Sequence, residues 1–118
     1  MSVSIVTEYK EICAFCGRPA ECEHHLIFGI SERKKADEDG LVVPSCNDCH
    51  NIGQIIRRVH DNPMAEKLSK MLGQVVWERN WILKDAVHGR NGDDEELRAL
   101  EGRIARKEFS KRYGKSYL

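Results

Sequence analysis

Residues 13–60 read CAFCGRPAECEHHLIFGISERKKADEDGLVVPSCNDCHNIGQIIRRVH, and the fold is decided in this stretch. It holds all five cysteines and four of the five histidines of the chain. Four cysteines form two C-x-x-C pairs, Cys13/Cys16 and Cys46/Cys49, separated by 29 residues. Each pair can present two thiolates to one ion, and four sulfurs complete a closed tetrahedral shell. A closed shell leaves no position for substrate, so the expected Zn²⁺ is structural. Disulfides call for an oxidising compartment, and a redox C-x-x-C calls for a thioredoxin-like βαβ context that is absent here. Cys22 is the odd one out and reads as a small buried apolar residue.

Outward from the cysteines, the pattern predicts a short unit of two strands and a helix. His25–Phe28 is an apolar run expected to form a strand, and Gly29 follows it. Residues 31–40 are polar and charged, which predicts a loop. Leu41–Pro44 is a second expected strand, ended by proline. After Cys49, residues Ile52, Ile55, Ile56 and Val59 fall at helical spacing. The zinc staple ties both ends of this unit together, so it gathers His24, His25 and His50. Asn62-Pro63 then predicts a helix start. Met64, Leu68, Met71, Leu72, Val75 and Val76 give that helix an apolar stripe to about Trp81, with Met64 and Met71 expected in the core. His88–Gly92 reads as a loop and His88 as an ordinary histidine. A last helix is expected from near Asp94, carrying Leu97, Leu100, Ile104 and Phe109 and stopping at Gly114. The fold class is α+β, with one domain over 1–118: a zinc-stapled ββα core with a short β-hairpin in 13–60, and a helical extension in 62–118.

A chain of 118 residues buries a modest core, so a bound metal would add needed stability. With 41% apolar and 32% charged residues the composition is that of a soluble protein. No apolar run approaches the ~20 residues that span a bilayer, so no membrane partner is expected. The first residues lack a basic segment followed by an apolar one, which gives the expectation of an intracellular, cytoplasmic protein. A net charge of zero argues mildly against a nucleic-acid partner. Its distribution softens that objection: the acidic run 93–96 is followed by seven Lys or Arg against two Glu over 98–118. Arg33, Lys34, Lys35, Arg57 and Arg58 are candidate phosphate contacts, against the plainer reading of solvated surface.

The run Cys22-Glu-His24-His25-Leu-Ile-Phe-Gly29, a charged connection, then Gly40-Leu-Val-Val-Pro-Ser-Cys46-Asn-Asp-Cys49-His50-Asn51 resembles the motif of HNH, or ββα-metal, endonucleases. More narrowly, it is similar to small phage and bacterial nucleases of the RecA-dependent nuclease (recombination enhancement) group. The resemblance covers most of the chain and is most specific in 13–60. It implies a metal-dependent DNA endonuclease or nickase from a phage or bacterium. His24 and His50 would be ligands of a catalytic cation and His25 the general base that activates water. His60 belongs to the resemblance, but a continuous helix would carry it too far from His50, so it joins only if the helix breaks early. The chain departs from the pattern where the middle Asn normally orients the base: Gly40 stands there. A backbone carbonyl or Asn51 is then the candidate for that role. Sparse imidazole ligation suits Mg²⁺ or Mn²⁺, and imidazole also accepts Zn²⁺ or Ni²⁺. A recombinase filament is a partner implied by the narrower resemblance alone, and oligomeric state is open. The competing reading is a non-catalytic zinc-ribbon module that binds DNA or protein; a thiol redox protein is a distant third. A pure binding module has no need of three gathered histidines.

Overall fold

A computed structural model describes residues 3–54, 57–87 and 95–118. The order of elements is β1 (Cys22–His25), α1 (Glu32–Asp39), β2 (Val42–Ser45), a single wide helical turn (Asp48–Ile52), α2 (Pro63–Val87) and α3 (Glu95–Tyr113). The two strands pair antiparallel, with His24 opposite Val43 and His25 opposite Val42. This is a mixed α/β fold with one small sheet.

Both strands lie somewhat apart from the expected runs. β1 ends at His25 rather than starting there. Leu26 extends the pairing once, its N–H donating to Leu41 O at 2.9 Å. Leu26 and Ile27 are then buried under α2 and α3 instead of continuing the sheet.

The expected loop 31–40 is instead α1. Its single buried residue is Ala36, so it carries no apolar stripe for periodicity to detect. Its stop signal is Gly40, in the left-handed region at φ 74°, with its N–H on the carbonyls of Ala36 and Asp37. A Cβ at Gly40 would lie 2.5 Å from Val3 O. The N-terminal segment binds this corner: Ile5 N–H donates to Gly40 O at 2.9 Å and Ser4 Oγ to Val42 O at 2.6 Å.

The helix expected through Val59 breaks after one turn. Gly53 N–H closes a wide turn on Asp48 O at 3.2 Å, and the chain then doubles back. Val59 N–H donates to Cys49 O at 2.9 Å, which brings 59–60 beside 49–50. Val59 is buried, whereas Ile52 is 66% exposed. Ile55 and Ile56, the other two residues of that pattern, lie outside the described residues.

α2 starts as expected, with Asn62 Oδ1 accepting the N–H groups of Met64 and Ala65. Its orientation differs from the expectation. Met64 is 76% exposed, and Leu68, Leu72 and Val75 are exposed too. The opposite side, Ser69, Gly73 and Trp77, meets the hairpin. Gly73 permits this close approach, because a Cβ there would sit 2.8 Å from Ile27 Cγ1. The sheet is too small to cover the stripe, and a buried polar residue, Ser69, takes the inward position. On α3, Phe109 is buried and Leu100 exposed, and the helix stops at Gly114. The loop 88–92 with His88, the start near Asp94 and the side chain of Leu97 lie outside the described residues. The main core joins Leu26, Ile27, Ala36, Leu41, Val43, Phe109 and Tyr113, with Val76 and Trp77 against it. No helix among the described residues is long and apolar enough to cross a membrane.

Candidate metal centre and catalytic cleft

The first site is the cysteine cluster. Sγ atoms of Cys13, Cys16, Cys46 and Cys49 all lie within 4.8 Å of one another. Cys16 Sγ and Cys46 Sγ are 3.6 Å apart, close to the ~3.8 Å edge of a tetrahedron built on Zn–S bonds of about 2.3 Å. The local backbone explains the geometry. Gly17 N–H donates to Cys13 O at 2.9 Å, closing the first turn, and Phe15 N–H points at Cys13 Sγ at 3.4 Å. His50 N–H donates to Cys46 O at 3.1 Å, closing the second. Backbone and side-chain N–H groups of Arg18 lower the exposed Cys16 thiol to about 6. Burial, reinforced by a hydrogen bond with Cys46, pushes Cys49 up to about 12. A cation therefore finds part of its thiolate set ready and must displace protons from the rest. These four cysteines can hold a metal such as zinc.

Beside this cluster lie three imidazoles. Nitrogens of His24, His50 and His60 also fall within 4.8 Å of one another. The early helix break brings His60 into the group, with its Nε2 2.7 Å from His50 Nε2. Two of the three rings are oriented from behind. Ser69 Oγ donates to Leu26 O at 2.7 Å, so it accepts from His24 Nε2–H at 2.9 Å. That fixes His24 with its lone pair on Nδ1, which is buried and without a hydrogen-bond partner among the described residues. Likewise Cys22 Sγ donates to Ser45 O, so it accepts from His50 Nδ1–H at 3.5 Å, leaving the lone pair on His50 Nε2. Cys22 is therefore more than a packing residue. Burial, then the neighbouring histidines, lowers His24 to about 3 and His50 to about 4, and burial lowers His60 as well. All three rings are neutral at pH 7, the form that ligates metals. A buried, deprotonated nitrogen on a ring 5.4 and 5.1 Å from those of His50 and His60 fits a divalent cation.

His25 stands at the open side. Its Nε2 lies 3.1 Å from Asp37 Oδ1 on α1, and a Glu23 carboxylate oxygen is within 4.8 Å of both. One cleft is lined by Glu23, His25, Arg33, His50, Asn51 and His60. An adjoining open groove is lined by His25, Arg33, Lys34 and Asp37. Arg33 and Lys34 thus flank the cleft. Lys35 lies 6.0 Å over the Tyr113 ring instead. Arg57 Nη2 donates to Cys49 Sγ at 3.7 Å, so it serves the cysteine cluster. Arg58 Nη1 donates to Asn51 O, and its Nε lies 3.3 Å from Asp61 Oδ2 off hydrogen-bond alignment. Asn51 lines the cleft but makes no hydrogen bond to His25. Sequence reasoning missed Ser69, Cys22 and Asp37, whose roles depend on pairings distant in the chain. Comparisons with protein-family models, curated proteins and solved structures find no match in any of the three.

Proposed function

We propose that the chain is a metal-dependent DNA endonuclease or nickase of the HNH type, with the four-cysteine site as its structural zinc. The observation that carries this reading is the three-imidazole cluster, which includes the buried, unpartnered Nδ1 of His24, beside a fourth histidine in an open cleft. A binding module built on four cysteines has no use for such a set.

His24, His50 and His60 would hold the catalytic cation; three imidazoles suit Zn²⁺, Ni²⁺ or Mn²⁺ better than Mg²⁺, which takes oxygen ligands. When bound, the cation would supply charge neutralisation at the scissile phosphate and at the departing oxygen. His25 takes a proton from water, whose oxygen attacks phosphorus. The phosphorus–oxygen bond breaks, its electron pair leaves on the 3′ oxygen, and that oxygen takes a proton from solvent. Arg33 and Lys34 hold the flanking phosphates, contacts that position the backbone and carry no sequence information. The cysteine site keeps His50 and His60 in place through Cys49, which His50 adjoins and whose carbonyl receives Val59 N–H.

Plasmid cleavage tests this. The 118-residue chain with its zinc retained, titrated with Mg²⁺, Mn²⁺, Zn²⁺ and Ni²⁺, is expected to nick or linearise DNA. His25→Ala is expected to lose that activity by about 10²–10⁴-fold, with zinc content and circular dichroism unchanged. Cleavage surviving in His25→Ala would remove His25 as the base. No cleavage of duplex or single strands by the wild type, with or without a recombinase filament, would favour the zinc binding module.

A further inference from the structure

The nuclease reading leaves the base without its usual orienting side chain, and the geometry of α1 bears on this. Gly40 stands where the motif places an asparagine, and it cannot hold one here without strain. Its φ is 74° and a Cβ would meet Val3 O at 2.5 Å. The same residue caps α1, and α1 carries Asp37 across the open face of β1. Asp37 Oδ1 lies 3.1 Å from His25 Nε2. The His25 side chain is only 12% exposed, while that of Asp37 is 50% exposed. The ring is held from one side by the strand, where His25 pairs with Val42, and from the other by this carboxylate.

We propose that Asp37 is the positioning residue for His25, accepting its Nε2–H and so presenting the Nδ1 lone pair to the attacking water. The inference rests on the nuclease reading of the cleft. A carboxylate is acceptor-only, so it admits one tautomer of the ring; an amide would admit both. When water gives its proton to Nδ1, the imidazolium forms against a fixed negative charge. The role left open by Gly40 is thereby filled three residues earlier in the chain, from a helix rather than from the approach to a strand.

The test uses the full chain with its zinc retained, and compares wild type, Asp37→Ala and Asp37→Glu. Alanine at a half-exposed helical position keeps α1 intact, and circular dichroism and zinc content check this. Under saturating Mn²⁺, Asp37→Ala is expected to lower kcat for plasmid cleavage by about 10- to 100-fold, part of what a general base contributes, with KM for DNA unchanged. Asp37→Glu is expected to recover part of that loss. Nitrogen-15 NMR of the His25 ring is expected to show Nε2–H in the wild type and a mixed population in Asp37→Ala. If the wild type cuts and Asp37→Ala cuts at the same rate, or keeps the same tautomer, the positioning role is overturned and the nuclease reading stands. If Asp37→Ala instead removes one bound Mn²⁺ per chain, then Glu23, His25 and Asp37 form a cation site and the proposal fails. If the wild type cuts nothing, the nuclease reading falls, and a tautomer fixed by Asp37 would then mark a surface pair without a catalytic role.

Discussion

Ser69 reaches His24 from 45 positions away in the chain, and one hydroxyl determines which nitrogen that ring offers. Nothing in the sequence around Leu68-Ser69-Lys70 announces this. A serine in the second turn of an amphipathic helix reads as a neutral helix residue, and its role appears only once α2 lies against Leu26. Cys22 behaves in the same way toward His50. The histidines themselves were legible, because a His-His pair beside a metal knuckle is rare enough to stand out. Partners that orient ligand rings typically alter metal affinity by about 10–100-fold. Ser69→Ala is therefore expected to weaken Mn²⁺ binding at the three-histidine site by about that factor, measured by calorimetric titration, with the zinc content unchanged. Unchanged affinity would show that packing by Phe15 and Phe28, whose rings meet His24 edge-on at 5.7 and 5.4 Å, is enough to fix the ring.

At the scale of single elements, periodicity found the long helices but not which side of α2 turns inward, and it failed where an element was short. The start of α2 followed from its Asn62 cap and the end of α3 from Gly114, but α2 runs on to Val87, six residues past the expected end near Trp81. α1 escaped notice because eight residues with one buried alanine show no stripe, although its good helix formers ending in glycine were a signal of another kind. The turn after Cys49 misled in the opposite sense: its isoleucines have helical spacing, but the cysteine turn and the Val59–Cys49 hydrogen bond pull the chain back. Gly40 permits a direct test of this scale. Gly40→Asn would place there the residue usual in the proposed nuclease motif, yet it forces a side chain into a left-handed position against Val3 O. The expected outcome is a loss of about 1–3 kcal/mol in urea unfolding and no gain in cleavage. A variant as stable as the wild type and faster in cleavage would show that the orienting role still belongs to position 40.

Across the whole molecule, one carboxylate joins three helices. Asp39, in the last turn of α1, accepts from Trp77 Nε1 on α2 at 3.0 Å, and from Arg112 Nε and Tyr113 OH on α3, each at 2.6 Å. Arg112 also reaches Glu38 at 3.0 Å. Burial, reinforced by the adjoining Asp39, raises the Tyr113 hydroxyl well above its usual value, so it remains a donor at every working pH. The helical extension is therefore tied to the rest by polar contacts as well as by Phe109, which is buried in one core with Leu26, Ile27 and Leu41. Asp39→Ala strands three donors, and because the Arg112 side chain is one-third exposed the cost is expected to be about 2–3 kcal/mol, toward the lower end of that for removing a buried partner. A urea midpoint that does not move would show that the apolar core alone holds the helices on the hairpin. The chemistry available was already legible in the chain: two cysteine pairs at ligand spacing, a histidine pair and a third histidine, two long helices, the start of the first and the stop of the second. Those are local facts, set by residue type and by spacing along a few turns of chain. Which groups act together is set by packing: His60 with His50, Ser69 with His24, Asp37 with His25, and the side of α2 bearing Ser69, Gly73 and Trp77 turned inward. Each of these joins residues ten or more positions apart, and such pairings follow from where the chain turns and what a small sheet can cover, which no local pattern records.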